Sequence, residues 1–143
     1  MESIVVGTDG SPNAEAAVRE ATQIAKGSGA RLNLVSAFPN VPSFSEGISS
    51  SAKREPINLR EVAESVLARV ERDIESQGVE VVTHARGGDP AHVIIEVAQE
   101  QNADLIVVGA RGLTGFKRFL LGSVSSKLSH HAPCSLMIVR QDD

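Results

Sequence analysis

The 143-residue sequence contains no tryptophan or tyrosine and only four phenylalanines, so any core it builds must be aliphatic. Its single cysteine, Cys134, excludes an internal disulfide and fits a reducing cytoplasm. No apolar stretch approaches the roughly 20 residues of a membrane span, and no signal-peptide pattern precedes the first strand-like run. A net charge of −4 argues against generic attraction to nucleic acid or to an anionic membrane. Two familiar nucleotide signatures are missing, since there is no Gly-Lys-Ser/Thr and no GxGxxG after the first apolar run. A GxSxG nucleophile elbow and a Cys/His metal cluster are absent as well. What remains is ordinary in bulk: hydrophobic content of 41% and charged content of 22% suit one soluble domain spanning 1–143.

Five short runs rich in β-branched residues read as strands: Ile4–Val6, Leu32–Ala37, Val79–Val82, Leu105–Val108 and Leu136–Val139. Helical stripes lie between them. The first places apolar residues at 14, 17, 18, 21, 24 and 25 behind Ser11-Pro12, an N-cap and first helical residue. The second uses 59, 62, 63, 66, 67, 70 and 74 behind a capping-box-like Asn58 and Glu61. A third follows Asp89-Pro90 through Val93, Ile94, Val97 and Ala98, and a fourth follows Gly122-Ser123 through Val124, Leu128 and Ala132. Strict alternation of strand and helix predicts an α/β fold with a parallel sheet covered on both faces. The first and fourth runs are apolar throughout, as central strands are, whereas the third is polar enough for an edge. The last run, Leu136–Val139, is apolar and leaves two readings open: a central strand, or an edge covered by a second copy of the chain. Residues 39–57 hold five serines and three prolines without periodicity, which suits a flexible loop, whether lid, binding loop or disorder.

The most informative stretch is "GARGLTGFKRFLLGS", 109–123, where Gly109, Gly112, Gly115 and Gly122 are interleaved with Arg111, Lys117 and Arg118. Glycine is placed where φ must be positive or something approaches the backbone closely. In an open parallel sheet, ligands bind beyond the carboxyl ends of the strands where the strand order reverses. Adjacent first and fourth strands would bring "GTDGS" (7–11) and this loop to one crevice. The helix starting near Ser123 would aim its free N–H groups there, with the Ser123 and Ser125 hydroxyls as further donors to an anion. At about 1.5–3 kcal/mol each, three or four charged hydrogen bonds supply much of the ~8 kcal/mol of micromolar binding. A plain turn with solvated cations is the competing reading. Asp9 has two roles open to it: accepting from a ribose or adenine amino group, or bonding the amides of its own turn.

The spacing Gly109-x2-Gly112-x9-Gly122-Ser123 resembles the G-2x-G-9x-G-S/T signature of the universal stress protein family. "IVVGTDGS" (4–11), "LLGSVS" (120–125) and the closing apolar strand extend the resemblance over essentially the whole chain. It implies a Rossmann-like adenine-nucleotide-binding domain with a five-stranded sheet of order 3-2-1-4-5, dimerised through the last strand, Leu136–Val139. It also implies the ATP-binding branch. Carried over residue by residue, Thr8 and Asp9 would face adenine and ribose, and Ala37 would offer backbone to the base. Val108 and Gly109 would line base and ribose, while Arg111, Gly112, Gly122, Ser123, Val124 and Ser125 would surround the phosphates. Relatives often end the second strand in His-Val where this chain has Ser36-Ala37, which loosens base packing.

The expected function is therefore a cytoplasmic, homodimeric ATP-binding regulator of a stress response, acting with an unknown regulatory protein. No catalytic or resident metal-binding residue is assigned. ATP, with or without Mg2+, is the expected ligand, and cyclic AMP or AMP is the alternative. Hydrolysis is expected to be slow or absent, because no carboxylate except Asp9 lies near the loop. A true ATP hydrolase and a nucleotide-independent interaction module are the rival readings. Cys134 reads as a small core residue, and His130-His131 as cations suited to a helix C-terminus. His84 and His92 stand alone.

Overall fold

Local rules account for where each element begins. In the computed structural model, which describes residues 1–40, 58–111 and 121–141, strand β1 (Ser3–Gly7) leads into helix α1 (Pro12–Ser28). The Ser11 side chain accepts from the Ala14 N–H at 3.3 Å, and Pro12 occupies a first-turn position where its missing N–H costs nothing. Gly29, at φ 78°, closes α1 in a left-handed cap and sends the chain into β2 (Arg31–Phe38). Helix α2 (Leu59–Glu75) starts at Asn58, whose side chain accepts from the Glu61 N–H. Strand β3 (Val81–Gly87), helix α3 (Pro90–Glu100), strand β4 (Leu105–Gly109), helix α4 (Ser123–His131) and strand β5 (Ser135–Val139) complete the chain.

The five strands form one parallel sheet of order β3-β2-β1-β4-β5, with Val6 registered to Leu34 on one side and Val107 on the other. The alternation of strand side chains divides the core in two. Ile4, Val6, Leu32, Leu34, Leu105 and Val107 meet α1 and α2, while Val5, Val35, Ile106 and Val108 meet α3 and α4. The helices thus cover both faces, and β1 and β4 are the central strands, as their composition predicts.

Two local expectations need correction. The third strand runs from Val81 to Gly87 rather than from Val79 to Val82, because pairing with β2 continues to Phe38↔Gly87. Val79 is buried before the strand begins. Val62, counted in the apolar stripe of α2, is 53% exposed, and Ala63, Leu67, Val70 and Ile74 form the buried line. The loop expected over 39–57 lies outside the described residues from 41 onward.

β5 is an edge strand, and Leu136, Met137, Ile138 and Val139 on it are only half-buried. At the opposite edge a polar network runs into the sheet. Asn33, wholly buried, donates from Nδ2 to Ser3 Oγ and to the Ile4 carbonyl, both at 3.3 Å. Its Oδ1 lies 3.1 Å from His84 Nε2 and accepts from it, since the Asn33 amide hydrogens are already used. Burial holds the His84 pKa below its ordinary value, the Arg86 cation lowers it further, and Glu100 opposes them. Arg86 spans Glu96 at 2.8 Å and Glu100 at 2.6 Å, fastening β3 to α3.

Candidate functional site

The carboxyl ends of β1, β2 and β4 open onto one edge of the sheet. At β1 the buried Thr8 donates its N–H to the Val35 carbonyl at 2.9 Å, so the chain stays bound to β2 one residue past the strand. Thr8 Oγ1 then accepts from the Gly10 N–H at 3.2 Å, and Asp9 Oδ1 accepts from the Ser11 N–H at 2.9 Å. Gly10 sits at φ 82°, a conformation that side chains with a Cβ rarely adopt. Both bonds tighten the turn and hold Asp9 exposed at the edge. The turn-bonding role of Asp9 is thus observed.

Gly109 answers part of the glycine question. A Cβ built on it would lie 2.7 Å from the Asn13 carbonyl oxygen and 2.8 Å from its carbon. Glycine is required here because the first turn of α1 presses on the end of β4. Beyond it, the Ala110 N–H donates to the Val139 carbonyl at 2.8 Å, and the Gly122 N–H donates to the Ala110 carbonyl at 2.7 Å. That second bond returns the chain to β4 and fixes the start of α4 against it. Gly122 is the N-cap of α4 and, having no side chain, makes no side-chain capping bond. The N–H groups of the first turn of α4 are therefore not claimed by a cap.

Ser125 differs from its sequence expectation. Its hydroxyl is buried and donates to the Ala110 carbonyl at 2.8 Å, with the Gly122 carbonyl at 3.1 Å sharing the same proton. The side chain braces the loop ends rather than offering a donor to a ligand. Ser123 is exposed, Val124 and Arg111 are half-buried, and Val108 is buried in the α3–α4 face of the core. Gly112 lies outside the described residues, as do Gly115, Lys117 and Arg118.

A cleft of about 400 Å3 adjoins this edge, lined by Ala37, Phe38, Pro39, Asn40, Gly88, Asp89 and Pro90. It contains Ala37, the residue expected against the base. Of the others, the sequence marks Asp89 and Pro90 as a helix start and Pro39 and Asn40 as loop, although Gly87-Gly88-Asp89-Pro90 repeats the signal of glycines between a strand and a helix. Gly88, at φ 137°, donates its N–H to the Phe38 carbonyl at 2.9 Å and joins the ends of β2 and β3. Asp89 caps α3 by accepting from the His92 N–H at 3.1 Å, and it also accepts from Lys127 Nζ of α4 at 3.1 Å. The backbone N–H first, and the ammonium second, hold its carboxyl below the usual carboxylate range.

One acceptor near the edge is unpaid: Asn13 Oδ1 is buried and has no hydrogen-bond partner among the described residues. Among those residues no group of three or more His, Cys, Asp or Glu could hold a metal ion. Also among them, no helix is long and apolar enough to cross a membrane. Cys134 is half-buried against the α3–α4 side of the core, and burial first, with Asp104 second, raises its thiol pKa.

Fold and site together define a parallel α/β domain whose carboxyl edge combines the β1 turn, the β2 cleft and a helix start behind β4 with no side-chain cap. Comparison with known proteins makes this specific. The sequence model described as "Universal stress protein family" matches residues 1–140, and the chain belongs to that family. It is 34% identical to the universal stress protein MJ0531 of Methanocaldococcus jannaschii over 98% of this chain and 82% of that protein. The universal stress protein UspA from Lactobacillus plantarum has a similar structure, with a TM-score of 0.80 and 26% identity over 97% of both chains. A universal stress protein solved in complex with cAMP aligns with a TM-score of 0.70 and 28% identity, over 97% of this chain and 96% of that one.

Proposed function

We propose that this chain binds an adenine nucleotide, ATP foremost, at the carboxyl edge of β1, β2 and β4, and that the bound state regulates a stress response in the cytoplasm. The observation that carries the reading is the 2.7 Å bond from the Gly122 N–H to the Ala110 carbonyl. It holds the uncapped start of α4 beside the end of β4, where first-turn N–H groups and the helix dipole favour a phosphate. The similar universal stress protein solved in complex with cAMP supports an adenine nucleotide as the ligand. In this reading Thr8 and Asp9 serve ribose and base, Ala37 offers its backbone to the base, and Val108 and Gly109 line the crevice. Arg111, Gly112, Gly122, Ser123, Val124 and Ser125 surround the phosphates, Ser125 through its backbone and its brace on the loop. Mg2+, where it takes part, comes with the phosphates.

Binding rather than turnover is the activity. The carboxylates at this edge are engaged in holding the fold, Asp9 by the Ser11 N–H and Asp89 by the His92 N–H and Lys127, so hydrolysis is slow at most. The whole chain, 1–143, works as one domain, and two copies pair through β5. The half-buried apolar side chains of that edge strand support the pairing. An unknown regulatory protein reads the nucleotide state.

The test is to purify the protein without added nucleotide, denature it and identify released small molecules by mass spectrometry, then titrate the emptied protein calorimetrically. Released ATP, or micromolar ATP binding, supports the reading. Preference for cyclic AMP would favour second-messenger sensing, which the cAMP-bound relative makes the leading alternative. Ser123→Ala separates the two, weakening ATP more than cyclic AMP. Absence of binding by any adenine nucleotide would leave an interaction module.

A further inference from the structure

Lys127 and Asp89 join two helix starts that the ligand edge brings together. Asp89 is the N-cap of α3 and lines the cleft that contains Ala37. Its Oδ2 accepts from the His92 N–H, and its Oδ1 holds the Lys127 ammonium at 3.1 Å. Because Asp89 stands at the N-terminus of α3, the Lys127 ammonium is held at the carboxyl edge of the sheet. Lys127 itself lies four residues after Ser123, one turn into α4 and on the same helix face. Helical side chains lean toward the N-terminus, so a lysine there reaches the level of the first-turn N–H groups. Both partners are about half exposed, with side-chain exposures of 57% and 48%. An exposed ion pair of this kind is held weakly, because each ion keeps much of its water.

We propose that Lys127 is a specificity-determining residue for phosphate number, held by Asp89 in the free protein and released to a polyphosphate on binding. The inference rests on the nucleotide reading above. A polyphosphate carries more charge than a carboxylate and offers several acceptor oxygens, so it competes well for the ammonium. A monophosphate or cyclic phosphate has less charge with which to displace Asp89. The pair therefore sets an electrostatic threshold: Asp89 discourages ligands with little phosphate charge, and Lys127 favours those with more.

The two partners then predict opposite changes. Lys127→Gln weakens ATP binding about tenfold, with AMP and cyclic AMP changed about threefold or less, in low-salt calorimetry. Asp89→Asn keeps an acceptor for the His92 N–H and so keeps the cap. It removes the carboxylate that competes for Lys127, and ATP binding tightens about threefold. Melting temperatures of both variants, measured without ligand, verify that the fold is kept. If the variants shift ATP affinity in the same direction, or shift ATP and AMP equally, the pair is only a latch between α3 and α4 and the inference is overturned. If the unaltered protein binds no adenine nucleotide, the functional reading falls and takes the inference with it.

Discussion

Replacing Gly109 with alanine separates a glycine kept for packing from one kept for a ligand. The added Cβ would meet the Asn13 carbonyl oxygen at 2.7 Å and carbon at 2.8 Å, closer than real Cβ atoms approach. The obstacle is backbone in the first turn of α1, so no rotamer change can relieve it. β4 cannot yield either, being paired to β1 and β5 and covered on both faces. The start of α1 must move, at the cost of about 1–3 kcal/mol typical of overpacking. For a domain of this size that lowers the melting temperature by about 3–10 °C. Gly27→Ala in α1 is the control, since a Cβ there meets nothing within 4 Å. It should raise stability by about 0.5–1 kcal/mol through helix propensity. Thermal melts by circular dichroism without nucleotide read both. A melting temperature for Gly109→Ala within about 1 °C of the unaltered protein would refute the packing argument and return Gly109 to a purely ligand-facing role.

Ser125→Ala should cost about 1 kcal/mol in urea unfolding, since the lost hydroxyl leaves Ala110 and Gly122 carbonyls that retain backbone partners. A loss above about 3 kcal/mol would mean that this side chain, not the backbone, holds the loop ends together. The lowered pKa of His84, caused first by burial and then by Arg86, makes folding stability depend on pH. The unfolded chain binds the proton more readily, so the contribution is present above about pH 6.5 and is lost as pH falls below it. His84→Gln should flatten the stability profile between pH 5 and 7, approximately, and an unchanged slope would assign the dependence to other groups. Ile138→Lys places a charge on the β5 edge and should give monomers by analytical ultracentrifugation. An unchanged dimer mass would exclude pairing through that strand.

Most of the architecture was legible because it rests on short-range signals. Apolar runs and 3.6-residue stripes mark the strands and helices, and Ser11, Asn58 and Asp89 cap the helices that their positions predict. Strand β3 was misplaced because "HARG" has no β-branched residue, and its extension to Gly87 comes from pairing with β2. The fate of Gly109 was hidden for a related reason. The object approaching its backbone is Asn13, nearly a hundred positions away in the chain. Ser125 was read as a donor because its helix position suits one, but only the folded loop shows the Ala110 carbonyl that claims its proton. Asp89 marks a helix start in the sequence and nothing there singles out Lys127; the two come together only when α3 and α4 pack on the same face of the sheet.

The central claim, an adenine nucleotide held at the carboxyl edge, is tested most directly by titrating 15N-labelled protein with ATP and following backbone amides by NMR. The account predicts the largest shifts at Thr8–Gly10, Ala37, Gly109–Arg111 and Gly122–Ser125, with the β3 and α2 edge unmoved. Absence of shifts at millimolar ATP, or shifts gathered away from those residues, would contradict it.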